Sequence, residues 1–345
     1  MKAKWGVCGS GGIARRRTIP EGIVRATNAE LHAVCDYDPE VARAVAQEFG
    51  GEACADEKEL LATDSDIIYV ATPVHLHLRQ VRHAAEAGKH VFCEKPLGLN
   101  VSEADEMRRV CKMNGVKLGI GFMMRFHAQH QEALRIVREG KLGALVFARA
   151  QLSCWYPPIP GAWRQEPTTG GGGTLMDLGA HCLDLLEMYF GHITRVCCTI
   201  ANRIHRYGSE DTSVVLVEFE SGARGIVDAL FNVPDSSSRN RLELYGSLGS
   251  ILAEGTIGQG ERGTMEAYLE TEAKEYEAQQ TREPGVITKI DPTPVNMYQS
   301  EVEAFSQAVL DDTEPPVSGK DGLRVQKILA ACYESASSGR WIDLQ

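Results

Sequence analysis

Gly9-Ser10-Gly11-Gly12-Ile13-Ala14 follows a short apolar strand, Trp5-Gly6-Val7-Cys8, and opens a helix. The spacing is G-x-G-x-x-A. Gly9 permits a tight turn, Gly11 lets the backbone approach a pyrophosphate, and Ala14 lets helix and strand pack closely. Gly12 and Ile13 complete a cradle at a helix N-terminus, whose oriented N–H groups and positive dipole favour phosphate. Such a pattern carries little weight alone in a chain with 34 glycines. Its context strengthens it. Asp36 ends a second strand, Leu31 to Cys35, about twenty residues further on, where an acid hydrogen-bonds the adenine ribose hydroxyls. A carboxylate there repels a 2′-phosphate, so NAD is expected ahead of NADP. Neither Tyr37 nor Asp38 supplies an arginine to reverse this. Arg15, Arg16 and Arg17, in the first turn after the loop, keep an NADPH-preferring alternative open, although solvent-facing charges are the commoner use of such residues.

The first 120 residues alternate short β-rich runs with helical periodicity. Helices are expected from Pro39 to Phe49, with Asp38 as N-cap, from Leu76 to Ala87, and from Val101 to Met113. Strands are expected at Ile67 to Ala71, His90 to Cys93 and Lys117 to Ile120. This alternation implies a parallel sheet covered on both faces. After Gly121 the rhythm changes to a helix (His127 to Arg138), a strand (Ala144 to Ala150), and an aromatic and glycine-rich loop from Trp155 to Gly173. A second helix and several strands without intervening helices follow, with turns at Ser221-Gly222 and Gly246 to Gly249 that suit antiparallel connections. The polar stretch from Glu261 to Pro294 reads as long loops around short strands, and two helices, Asn296 to Leu310 and Lys320 to Ser337, follow it. The expected fold is α/β: a Rossmann domain over 1–122 and an α+β domain with an open, mostly antiparallel sheet over 123–345. The C-terminal helix is a candidate for packing back on the first domain.

A net charge of −11 argues against a broad nucleic-acid or anionic-membrane surface. No apolar run approaches the roughly 18 residues of a membrane span, and the start runs directly into a strand, so a soluble cytoplasmic protein is expected. The 10 cysteines include no C-x-x-C pair and sit in apolar stretches. They read as buried reduced thiols, with no metal site.

Two further segments carry chemistry. Val91-Phe92-Cys93-Glu94-Lys95-Pro96 is a buried strand that ends in Glu94-Lys95, and Pro96 turns the chain out. Ligands bind at the carboxyl ends of parallel strands, which puts Lys95 at the crevice; a surface lysine at a strand end is the alternative. The second segment runs from Gly170 to Asp184 and places Asp177, His181 and Asp184 at i, i+4 and i+7, one stripe of a helix. An Asp and a His one turn apart can form an oriented acid–base pair. Thr174-x-x-Asp177 also has the form of a capping box, which needs no catalysis.

Together these segments resemble the Gfo/Idh/MocA family of oxidoreductases, named for glucose-fructose oxidoreductase and inositol dehydrogenase. The resemblance covers nearly the whole chain. It rests on the glycine loop, Thr72-Pro73-Val74-His75-Leu76-His77, Ala87 to Val91, Glu94-Lys95-Pro96, Gly121-Phe122 with Arg125-Phe126, Trp163-Arg164, and Gly172 to Asp184. The chain departs at Val74, where members commonly carry Asn. The resemblance implies hydride transfer between nicotinamide and a secondary alcohol or ketone of a sugar, inositol or related polyol. Glycoside cleavage with tightly bound NAD, known in some relatives, is an alternative. Carried over, His181 is the acid/base, Lys95 stabilises the developing oxyanion, and Asp177 binds the adjoining hydroxyl or orients His181. Thr72, Pro73, His77, Glu94 and Lys95 join the glycine loop and Asp36 around the cofactor, and Arg125, Trp163 and Arg164 wall the substrate. The open sheet face is implied to build a homodimer or homotetramer.

Overall fold

A computed structural model describes residues 2–272, 276, 278–279 and 286–344. Two compact units emerge, and each is built around one sheet. The first comprises residues 1–123, 162–172 and 296–327; the second takes 124–161, 173–295 and 328–345. A single cut after residue 122 therefore captures only part of the division, because two later segments return to the first unit.

The first unit holds strands β1 (Ala3–Cys8), β2 (Ala29–Cys35), β3 (Glu52–Ala53), β4 (Ile67–Val70), β5 (His90–Cys93) and β6 (Leu118–Ile120). They lie side by side in the order β3-β2-β1-β4-β5-β6, all parallel. The chain reverses its direction of winding between β1 and β4, the place where doubly wound sheets open a crevice for ligands. Every residue of β4 is buried, as a strand covered on both faces requires. Asp38 and Asn100 cap the helices Pro39–Phe49 and Val101–Met113 by accepting the N–H of Glu40 and Glu103. The expected helix from Leu76 is a 3-10 turn, Val74–Leu76, that continues as His77–Glu86. β3 and a short helix, Glu57–Ala62, were not foreseen, being too brief to show a period.

The helix Met297–Leu310 completes this first core. Phe305 meets the rings of Trp5 and Phe92 at 5.9 and 5.2 Å, and the Trp5 indole donates to Ser306 Oγ at 3.0 Å. Gly119 makes room for it, since a Cβ there would lie 2.5 Å from the Phe305 ring.

The second unit holds β7 (Leu145–Ser153), β8 (Ile193–Ala201), β9 (Thr212–Phe219), β10 (Arg224–Leu230), β11 (Arg241–Gly246), β12 (Gly249–Glu254), β13 (Thr264–Leu269), β14 (Val286–Lys289) and β15 (Ile342–Asp343). Their order is β14-β13-β12-β11-β7-β10-β9-β8-β15; β7 and β10 run parallel and the other neighbours antiparallel. Along β9 burial alternates strictly: Val215, Val217 and Phe219 point into the core, while Val214 and Leu216 face out. The helix Ala180–Phe190 packs against the covered face along β7. Within the stretch 261–294, residues 273–275, 277 and 280–285 lie outside the described residues.

Candidate active site

The glycine loop sits between the ends of β1 and β4. Gly9 has φ +86°, and a Cβ there would lie 2.7 Å from Thr72 Cγ2 and 3.0 Å from the Thr72 nitrogen. Only glycine fits. Gly12 is also left-handed, with φ +47°, and opens onto free space. Gly9 N and Ser10 N donate to the Cys35 carbonyl, which ties the loop to the end of β2. Asp36 then does something the sequence did not reveal: its Oδ2 accepts from Gly11 N at 2.9 Å and its Oδ1 from Asp38 N at 3.1 Å. Ser10 Oγ is buried without a hydrogen-bond partner. Ala14 is fully buried, as close helix packing demands, and Ile13 half-buried. A backbone cradle with left-handed glycines, an unsatisfied hydroxyl and an acid at the β2 end fits the phosphates and adenosine of a dinucleotide.

The helix after this loop, Ala14–Ile23, is wound with i→i+5 bonds. Its three arginines are engaged locally. Arg15 pairs with Glu48 at 3.0 Å, Arg16 Nε donates to the Gly12 carbonyl at 3.2 Å, and Arg17 pairs with Glu21 at 2.6 Å.

Thr72 and Pro73, half-buried, follow β4, while Val74 is fully buried and turned into the protein. His77 was expected at the cofactor, but its ring is 1% exposed. Nε2 lies 2.9 Å from the Thr72 carbonyl, and Nδ1 lies 3.2 Å from the Leu97 carbonyl and 3.4 Å from Cys93 Sγ. Burial lowers its pKa, and the backbone carbonyls around the ring pull it part of the way back. His77 thus staples the Thr72 loop to the turn after Lys95.

Glu94 and Lys95 leave β5 half-buried, and the Lys95–Pro96 peptide is cis. Tyr69 donates to Glu94 Oε1 at 2.5 Å, and Thr18 Oγ1 stands 3.0 Å from the same phenol oxygen. Burial pushes the Glu94 carboxyl up, and the Tyr69 hydroxyl, the Lys95 ammonium and the Arg164 guanidinium pull it back. Glu301, from the helix Met297–Leu310, is driven well above its ordinary range by burial and by Glu94. Tyr69 and Glu301 had no signal in the sequence, since each read as an ordinary strand or helix position. In the same unit Arg164 stacks over the Trp163 ring, 4.2 Å from its centroid.

In the second unit Asp177 lies in an i→i+5 turn, Leu175–Gly179, that leads into the helix Ala180–Phe190. Asp177 is half-buried, His181 5% exposed and Asp184 1% exposed. Arg125, expected against substrate, grips Asp184 with two prongs: Nε to Oδ2 at 2.8 Å and Nη2 to Oδ1 at 2.6 Å. No capping box forms. Thr174 Oγ1 is buried without a partner, and the Thr174 N–H goes to the Glu210 carbonyl. Glu210, which the sequence did not single out, holds the start of this helix with its carboxylate. Among the described residues no group of three or more His, Cys, Asp or Glu side chains could hold a metal ion, and no helix is long and apolar enough to cross a membrane.

Residues 3–122 match the family model described as "Oxidoreductase family, NAD-binding Rossmann fold", and residues 130–252 match the GFO/IDH/MocA C-terminal domain. The chain belongs to the Gfo/Idh/MocA oxidoreductase family. It is 30% identical to D-xylose 1-dehydrogenase (NADP(+)) 2 of Haloferax volcanii, over 99% of both chains. It is also 28% identical to 1,5-anhydro-D-fructose reductase of Ensifer adhaerens, over 99% of this chain and 98% of that one. The aldose-aldose oxidoreductase of Caulobacter crescentus, solved with glycerol, superposes with a TM-score of 0.87 at 27% identity over all of both chains. As a Gfo/Idh/MocA member the chain is an oxidoreductase, and its first unit carries the NAD-binding Rossmann fold.

Proposed function

We propose that this chain oxidises a secondary alcohol of a sugar, inositol or related polyol, or reduces the matching ketone. The supporting observation is the helix start at Gly173. Thr174, the residue that would have given Asp177 a capping role, makes no hydrogen bond through its hydroxyl. Asp177 stands in the turn that leads directly into the helix of His181, so the acid–base reading gains over the capping one.

When bound, NAD supplies the hydride acceptor. His181 accepts the proton of the reacting hydroxyl on its imidazole. Lys95 stabilises the negative charge that develops on the hydroxyl oxygen, and Asp177 hydrogen-bonds the adjoining hydroxyl or orients the ring of His181. Gly9, Gly11, Gly12, Ile13 and Ala14 cradle the phosphates, and Asp36 binds the adenine ribose. Thr72, Pro73 and Glu94 line the cofactor cleft, with His77 holding that wall in place from behind. Trp163 and Arg164 face substrate; Arg125 supports the helix through Asp184.

NAD is preferred over NADP, because Asp36 repels a 2′-phosphate and Arg15, Arg16 and Arg17 are engaged with Glu48, Gly12 and Glu21. The protein assembles as a homodimer or homotetramer through the open face of the nine-stranded sheet, where Val214 and Leu216 are exposed. Its ten free thiols suit the cytoplasm.

A panel of polyols and sugars with NAD and NADP, followed by the absorbance of the reduced nicotinamide, tests this reading. Turnover with a lower KM for NAD is expected, and His181→Ala and Lys95→Ala each lower kcat by about 10²- to 10⁴-fold. Full turnover by both variants on the best substrate overturns it.

A further inference from the structure

Glu210 lies at the end of the loop before β9, and 6% of it is exposed. Its Oε2 accepts from Gly173 N at 2.9 Å, and its Oε1 from Leu175 N at 3.0 Å and from the Tyr333 hydroxyl at 2.9 Å. Its own carbonyl accepts from Thr174 N at 3.0 Å. Three successive backbone N–H groups at one helix start are thus taken up by a single residue some 35 positions away. The approach is so close that a Cβ on Gly173 would lie 2.0 Å from the Glu210 carbonyl oxygen. The Gly173 carbonyl in turn accepts from Asp177 N at 3.0 Å, so the turn that carries Asp177 is built directly on the clamped residue. The turn is wound i→i+5, and Thr174 contributes no cap of its own. Orphan N–H groups at a helix start need acceptors, and a negative carboxylate also complements the helix dipole. The neighbouring Asp211 fixes the loop that delivers Glu210: its carboxylate accepts from the N–H groups of Arg203, Ile204 and His205, each at 2.8 Å.

We propose that Glu210 is a positioning residue, whose carboxylate, steadied by Tyr333, sets the start of the Asp177 turn and so the aim of Asp177 and His181. This rests on the acid–base reading of those two side chains. Glu210 reaches no reacting atom itself; it fixes the backbone from which both project. Reacting groups displaced by about 1 Å lose on the order of 100-fold in rate, so a small loosening of this clamp is read in kcat.

The test is Glu210→Gln, which keeps the shape and one acceptor but turns an amide NH₂ toward a backbone N–H. The expected result is a fall of about 10- to 100-fold in kcat, with KM for NAD and NADH affinity by fluorescence titration unchanged. Tyr333→Phe, which leaves the carboxylate and its backbone bonds in place, is expected to lower kcat less. Parental kcat in Glu210→Gln overturns the inference, as does a loss of NADH affinity parallel to the loss of kcat. Should Glu210→Gln fail to fold, Tyr333→Phe decides, and unchanged kcat there overturns it. His181→Ala run alongside separates the two claims. Full turnover by His181→Ala sinks the acid–base reading, whereas an inactive His181→Ala beside a fully active Glu210→Gln sinks only the role of Glu210.

Discussion

Two helices in this chain begin with i→i+5 turns, at residues 14–23 and 175–179, and a carboxylate reaches in from beside a neighbouring strand at each start. At the first, Asp36 from the end of β2 takes one backbone N–H, that of Gly11. At the second, Glu210 from just before β9 takes two with its carboxylate and a third with its carbonyl. The difference lies in burial. Asp36 is half-exposed and, on the proposed function, trades its bond for a ribose hydroxyl, while Glu210 is sunk among protein groups and holds the helix start and the Tyr333 hydroxyl. The same chemistry is open to a ligand where water reaches it and serves a scaffold where water does not.

Gly173→Ala presses hardest on this contrast. The added methyl would sit 2.0 Å from the Glu210 carbonyl oxygen, so backbone must shift to admit it. A loss of about 3 kcal/mol or more is expected in urea unfolding; an unchanged midpoint would mean that the second start is not rigid. Gly9→Ala attacks the first start, where φ +86° and the Thr72 contact both exclude a side chain. The strain is on the order of 2 kcal/mol, read as weaker NADH binding with the second unit's unfolding unaltered.

Acid sharpens the contrast further, because the second unit hides two neutral imidazoles. Burial holds His127 down to about 4 and His130 to about 3, with the charge of His127 adding to the effect on His130. Both lie below the unfolded value of about 6.5, so the unfolded chain binds more protons. Stability is therefore whole above about pH 6.5 and drains away as pH falls toward those folded values. From pH 7 to 5 each should cost about 1 to 2 kcal/mol. A drop in urea midpoint as large in His130→Asn as in the parent would contradict this.

Thr174→Val is the gentlest probe and turns on a sign. A capping threonine would lose about 1 kcal/mol on substitution. The buried, unpaired hydroxyl seen here predicts no loss or a gain of up to about 1 kcal/mol, readable in the thermal midpoint.

What the sequence made legible was local. The glycine loop, the cap at Asp38, and the strand–helix alternation each declare themselves within a few residues, and the first sheet follows from them. The helix that carries His181 and Asp184 was legible for the same reason, though Asp177 stands in the i→i+5 turn before it. What escaped depends on partners far apart in the chain. Nothing in the loop before β9 marks Glu210 as the anchor of a helix some 35 residues earlier, because a single polar residue in a loop has no period. His77 looked like a cofactor contact until the Thr72 and Leu97 carbonyls were seen on either side of its ring. Arg125 looked free for substrate until Asp184 was found in its fork.

The ring of Phe305 lodged against Trp5 and Phe92 also sets an order of events at the ribosome. Strands β1 to β6 are all synthesised before residue 121, yet the side chain that seals them arrives about 190 residues later. At roughly 5 to 20 residues per second that is a wait on the order of 10 to 40 s. During it the six strands wait with the aromatic socket at Trp5 and Phe92 unfilled. A fragment ending at residue 122 would keep that socket unfilled, and it is expected to aggregate more readily than the full chain.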